Sequence, residues 1–209
     1  GSGMALLLVG LLKKPVLERT EKTMKILIGV LGAECNTFAS DKGTFERWAP
    51  NGWITGDDIF LICDPGNHSL SYNLFGHENH MSPDDHFANL KRLIQAAAGR
   101  AHRMTVIMPS LYGGRQHRRM VRESLDCAVA LQELQQMGVE NIITFDAHDP
   151  RLMNAVPLMS FDNVMPTYQV LKTLLNKMPE LNFDKDHFIV ISPDEGAINR
   201  NMYFSSVLG

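Results

Sequence analysis

The pattern that most limits what this chain can become is a short β-branched run that ends abruptly in polar or glycine-rich residues. It occurs at Thr105-Val106-Ile107-Met108, followed by Pro109-Ser110-Leu111-Tyr112-Gly113-Gly114-Arg115-Gln116-His117-Arg118-Arg119. It recurs at Asn141-Ile142-Ile143-Thr144-Phe145, followed by Asp146-Ala147-His148-Asp149-Pro150. A third copy, Phe188-Ile189-Val190-Ile191, runs into Ser192-Pro193-Asp194-Glu195-Gly196. Helical patterns separate the three. Such alternation implies an α/β fold: a parallel sheet flanked by helices on both faces. In open sheets of this kind ligands collect at the carboxyl ends of the strands. The chain is therefore expected to deliver cations, carboxylates and a histidine to one edge of one sheet.

Two earlier strands are expected, Lys25-Ile26-Leu27-Ile28-Gly29-Val30 and Ile59-Phe60-Leu61-Ile62-Cys63. Residues 32–56 are rich in Gly, Asn, Thr, Asp and Pro and read as loop. The His- and Asn-rich stretch 75–81 reads as a second loop. Ser82-Pro83-Asp84-Asp85 is a strong helix start. Ser can cap, Pro suits the first turn, and the acids favour the positive end of the helix dipole. That helix carries Phe87, Leu90, Leu93 and Ile94 at helical spacing and should stop near Gly99. A second helix is expected from about 122 to 137, with Leu125, Val129, Leu131 and Leu134 facing the core and Gly138 as its C-cap. A third is expected over 166–176.

The chain has 209 residues, 44% hydrophobic and 21% charged, which suits a globular domain rather than a disordered one. Residues 1–23 are expected to be a tag and a poorly ordered tail. Residues 24–209 are expected to form one α/β domain, with 188–209 starting a second. Leu6 to Leu12 is too short to span a membrane. The net charge of −3 offers no general attraction to nucleic acid. Against it, the basic cluster Arg115, Arg118, Arg119 and Arg122 suits small anions. The cysteines, Cys35, Cys63 and Cys127, are odd in number and lack CxxC spacing. A reducing, cytoplasmic setting fits them better than a disulfide framework or a zinc site.

Three segments could carry chemistry. Arg115, Gln116 and His117 follow a Gly-Gly turn. Guanidinium binds phosphate bidentately, Gly admits close backbone approach, and Gln can both donate to and accept from an adenine edge. The same residues would equally suit a solvated basic helix start. His148 stands among Asp146 and Asp149 directly after a strand. It could ligate a divalent metal or shuttle a proton, or it could be a structural histidine in a capped turn. Asp194 and Glu195 place acids at a third strand end, where one carboxylate could share a metal with His148. His68, His77, His80 and His86 match no zinc spacing and read as solvated loop residues.

Taken in order, the three segments resemble the ribose-phosphate pyrophosphokinase family. That family shows Tyr-x-x-Arg-Gln-Asp/His, then Asp-x-His, then Ser-Pro-Asp-x-Gly. Here these stand as Tyr112-Gly113-Gly114-Arg115-Gln116-His117, Asp146-Ala147-His148 and Ser192-Pro193-Asp194-Glu195-Gly196. The resemblance runs over about residues 54–209. It includes Gly56-Asp57-Asp58-Ile59-Phe60-Leu61, Arg122-Glu123-Ser124-Leu125-Asp126-Cys127-Ala128 and the helix start from Met81 to Phe87. It implies a phosphoribosyltransferase-like fold, ATP as substrate, Mg2+ as cofactor, ribose 5-phosphate as second substrate, and a homo-oligomer. Diphosphoryl transfer from ATP to ribose 5-phosphate would give phosphoribosyl pyrophosphate. By the same resemblance Arg115, Gln116 and His117 would contact ATP, and His148 and Asp194 would hold Mg2+.

The sequence also departs from that family. The ribose-phosphate loop, two acids followed by Thr-Gly-Gly-Thr, does not occur in it. Gly196-Ala197 stands where the family has Gly-Gly. The Phe-x-Asp-Gly-Glu element has no clear counterpart. Residues 24–58 are instead similar to the start of microcystinase-like metallopeptidases, through Met24-Lys25-Ile26-Leu27-Ile28-Gly29, Glu34-Cys35-Asn36-Thr37-Phe38 and Thr55-Gly56-Asp57-Asp58-Ile59. The expectation is a truncated relative that keeps an ATP and magnesium half-site and is inactive alone. The alternative is a non-catalytic nucleotide-binding, regulatory or assembly subunit. Neither nucleic acid nor membrane is an expected partner.

Overall fold

The central strand dictates the rest of the sheet. Residues 104–108 are buried without interruption, as a strand covered on both faces must be. The computed structural model describes residues 26–30, 58–180, 184 and 187–208. The tail at 1–23 and the loop at 32–56 lie outside these residues. Five strands form a parallel sheet: β1 (Ile26–Val30), β2 (Asp58–Ile62), β5 (Arg103–Met108), β6 (Asn141–Phe145) and β7 (Ser160–Val164). Their spatial order is β1-β2-β5-β6-β7, so each lies beside its predecessor in this sheet. Val106 sits opposite Leu61 on β2 and Ile142 on β6.

A sheet wound in one direction by right-handed crossovers gathers its connections on one face. Helices α1 (Pro83–Ala97) and α2 (Asp126–Gln136) follow this rule. Their Phe87, Leu90, Ile94, Leu131 and Leu134 share one core with Ile59, Leu61, Val106, Met108 and Ile142. Leu134 is fully buried, so Leu134→Ala should cost about 2–5 kcal/mol. The parallel sheet flanked by helices is thus as expected.

The start of α1 is as the sequence indicated. The Ser82 hydroxyl accepts from the Asp85 backbone N–H at 3.2 Å, and the Asp85 carboxylate accepts from the Ser82 N–H at 2.8 Å. This reciprocal box holds the Asp85 carboxyl below its usual range, Ser82 being the main cause. α2 begins four residues later than expected, at Asp126. Its core stripe is Cys127, Ala130, Leu131 and Leu134, the spacing of one helix face. Val129 falls off that stripe and is exposed. Gly138 ends the helix at φ +93, where a side chain would be strained.

Three further differences have physical causes. The stretch expected as loop forms a hairpin, β3 (Ser71–Leu74) and β4 (His77–His80), turned at Phe75-Gly76. His86 is buried, its Nε2–H donating to the Asn67 carbonyl at 2.8 Å, so it is a core histidine and not a solvated one. Residues 188–191 do not form a strand, and Ile189 and Ile191 are exposed.

The chain divides into two compact units, Gly1–Val164 and Met165–Gly209. The sheet belongs to the first. The second holds α3 (Thr167–Lys177), a short 3-10 turn (Glu195–Ala197) and α4 (Ile198–Leu208). Among the described residues no helix is long and apolar enough to cross a membrane.

Candidate functional site

Two loops leave the carboxyl ends of the neighbouring strands β5 and β6. The first starts from a hard anchor. The Tyr112 ring stacks on Phe87 of α1 at 4.5 Å and 10°. Its hydroxyl donates to Asp84 at 2.7 Å, and this hydrogen bond pushes the Tyr112 phenol up to about 12. Gly113 then takes φ +62. A Cβ there would lie 3.0 Å from Asp126 Cβ and 3.1 Å from the Cys127 nitrogen. Glycine is thus needed twice over, for the backbone and for the closeness of α2. The Gln116 N–H donates back to the Gly113 carbonyl at 2.7 Å, and the Gln116 carbonyl accepts from Cys127 at 3.4 Å. Beyond this turn Arg115, Gln116, Arg118, Arg119 and Arg122 are exposed.

The second loop is shaped from β7. Asp146 sits at φ +49, a left-handed conformation that Asp tolerates better than most residues. Its N–H donates to the Val164 carbonyl at 3.1 Å. The next N–H, of Ala147, donates to the Asn163 side chain at 2.9 Å. Asp149 then caps a 3-10 turn (Pro150–Ala155) by accepting from the Arg151 N–H at 2.9 Å. The Arg151 guanidinium closes on the same carboxylate, at 2.7 Å from its terminal nitrogen and 3.0 Å from Nε. Together these contacts lower the Asp149 carboxyl to about 2, the Arg151 side-chain hydrogen bond being the largest cause.

The two loops meet. The rings of His117 and His148 lie 4.8 Å apart at a tilt of 36°. His117 Nδ1–H donates to the Arg115 carbonyl at 3.2 Å, which turns Nε2 toward Asp149 at 3.6 Å. His148 is exposed. The structure thus brings His117 beside His148 and puts Arg115 and Gln116 on the same loop as His117. Asp194 lies in the second compact unit, where its carboxylate accepts from the Ala197 N–H at 2.9 Å and caps the 3-10 turn.

Among the described residues no three His, Cys, Asp or Glu side chains gather as a metal cage. Mg2+ does not need such a cage, since it takes one or two protein ligands, oxygen by preference, and leaves the rest to phosphate and water. The parts played by Asp149, Arg151 and Asn163 go beyond the motif residues. Asp-Pro is an N-cap followed by a first-turn proline, so the cap at Asp149 was visible in principle. Asn163 was not, because β7 reads Ser160-Phe161-Asp162-Asn163-Val164, too polar to announce a strand.

Comparison with known proteins gives a consistent result. The family described as the N-terminal domain of ribose phosphate pyrophosphokinase matches residues 17–138, which takes in the stretch likened to metallopeptidases. A ribose-phosphate pyrophosphokinase of Clostridium acetobutylicum is 25% identical over 162 residues, covering 76% of this chain and 44% of that protein. One of Chlorobaculum tepidum is 27% identical over 158 residues, covering 75% and 42%. The chain therefore spans less than half the length of these curated relatives. The crystal structure of phosphoribosylpyrophosphate synthetase from Mycobacterium smegmatis aligns with a TM-score of 0.64 at 15% identity, covering 88% of this chain and 61% of that one. That likeness establishes the fold, phosphoribosyltransferase-like.

Proposed function

The chain belongs to the ribose phosphate pyrophosphokinase family, through that family's N-terminal domain, and from this premise we propose that it binds Mg-ATP at the edge where β5 and β6 end. The observation that carries the reading is the contact of His117 with His148 at 4.8 Å, which joins the two loops bearing the family's motifs. Arg115 and Gln116 are the groups for the nucleotide: one offers a planar fork to phosphate, the other an amide to the base. His148 is the ligand offered to magnesium. By the family motif, Asp194 is offered as a second ligand for magnesium.

Bound metal would neutralise charge on the phosphates and hold them in line. The surrounding residues orient the nucleotide and supply cations. Transfer to ribose 5-phosphate also needs that sugar positioned, and misplacement alone is costly. No Thr-Gly-Gly-Thr loop occurs in these residues. The chain by itself is thus a nucleotide-binding half that forms little phosphoribosyl pyrophosphate. A two-fold homo-oligomer is the simplest assembly for it. Calorimetric titration with Mg-ATP tests the reading directly. Saturable binding that depends on magnesium supports it; no heat at millimolar nucleotide would overturn it.

A further inference from the structure

One carboxylate touches both site loops. Asp149 accepts from the backbone and guanidinium of Arg151 on its own loop and faces His117 Nε2, 3.6 Å away, on the other. The side chains of His117 and Asp149 are 11% and 12% exposed, whereas Arg115, Gln116, Arg118, Arg119 and His148 around them are exposed. So the two groups drawn out of water at this edge are the ones that face each other. The His117 ring is fixed at three points: Nδ1 on the Arg115 carbonyl, Nε2 toward Asp149, and one side against His148. His148 has Asp146, Ala147 and Asp149 beside it in sequence, and the described ring contact it makes is with His117.

We propose that Asp149 is a positioning residue: by engaging His117 and Arg151 at once, it sets the angle at which the His117 ring supports His148. This rests on the reading of the edge as a metal–nucleotide site. Groups that orient a ligand imidazole commonly matter as much as their own contacts suggest, because ring angle decides whether a nitrogen points at the metal. The Arg151 side chain is 76% exposed, and Asp149 holds its guanidinium at the same edge.

Asp149→Asn separates this role from simple capping. An Asn oxygen still accepts from the Arg151 N–H and keeps the 3-10 turn, but it removes the charge facing His117. In the full chain without ligand, the imidazole Cε1–H resonances of both His117 and His148 should move, while the protein stays folded with a modestly lower melting temperature. Mg-ATP affinity should fall roughly 10- to 100-fold, the range for lost orienting groups. If both resonances stay in place in a folded Asn variant, Asp149 is only a cap and the proposal fails. Should that variant not fold, His117→Gln leaves the 149–151 turn untouched, and an unmoved His148 resonance there overturns the proposal equally. Failure of the wild-type chain to bind Mg-ATP would instead sink the nucleotide reading, and the ligand-free resonances would still decide the clamp.

Discussion

The loops after β5 and β6 solve one problem in opposite ways. The first is tied to helices. Tyr112 is stacked and hydrogen-bonded to α1, and Gly113 lets the chain touch α2. Past that anchor it is long, and its arginines reach into solvent. The second is short and tied by polar contacts from β7 and from within itself, through Asn163, Val164 and Asp149. One loop offers adaptable cations; the other offers a fixed carboxylate. An electrostatic site benefits from both, since charge that approaches the ligand is useful only against a frame that does not move.

The sharpest way to break the first loop is Gly113→Val. The new side chain would meet Asp126 Cβ and the Cys127 nitrogen at about van der Waals limits or closer, at a φ of +62. Strain of that kind costs on the order of 1–3 kcal/mol, and the clash adds to it. Thermal melting should show a clear loss of stability, together with loss of nucleotide binding. A fully stable Gly113→Val protein would mean that α2 is not pressed against this turn.

Arg115→Ala tests the adaptable half alone. It should weaken Mg-ATP by about 1.5–3 kcal/mol, the scale of a charge-assisted hydrogen bond, with the melting temperature unchanged. Asn163→Ala tests the fixed half. It leaves the N–H of the buried Ala147 without its side-chain acceptor, at a cost of about 1–3 kcal/mol. Its effect should appear mainly as lost stability, and in binding through His148. Equal binding losses with equal stability in the two variants would erase the contrast between the loops.

What could be read from the sequence follows the range of the forces involved. The strands at 59–62, 105–108 and 141–145 and the capped start of α1 rest on burial and local hydrogen bonds, and their residue types declare them. Arg115, Gln116, His117 and His148 were legible as motif residues at strand ends. The contact of His117 with His148 was not, because it depends on two loops folding toward each other. β7 was invisible for a related reason: an edge strand with alternate residues exposed needs little apolar content. Residues 188–191 show the converse. They carry the β-branched pattern of β6, yet among the described residues they join no sheet, because pattern alone does not place a segment in one.

The smallest expected effect is in pH, and it separates the loops by direction. Asp149 has its carboxyl lowered from 3.8 to about 2, chiefly by Arg151. A depressed carboxyl contributes stability that is present above its unfolded value and lost as pH falls from 3.8 toward 2. Tyr112 has its phenol raised from 10.0 to about 12, chiefly by the hydrogen bond to Asp84. A raised group contributes stability that is complete below its unfolded value and lost as pH rises from 10.0 toward 12. Acid should therefore loosen the second loop first and alkali the first. Tyr112→Phe removes the donor and keeps the stack on Phe87, so about 0.5–1.5 kcal/mol of stability at neutral pH should go, and with it the alkaline step. Asp149→Asn should flatten the acid step and leave the alkaline one. Melting curves of both variants across pH measure this. If Tyr112→Phe retains the alkaline step unaltered, the hydrogen bond to Asp84 does not anchor the loop, and the Phe87 stack holds it alone.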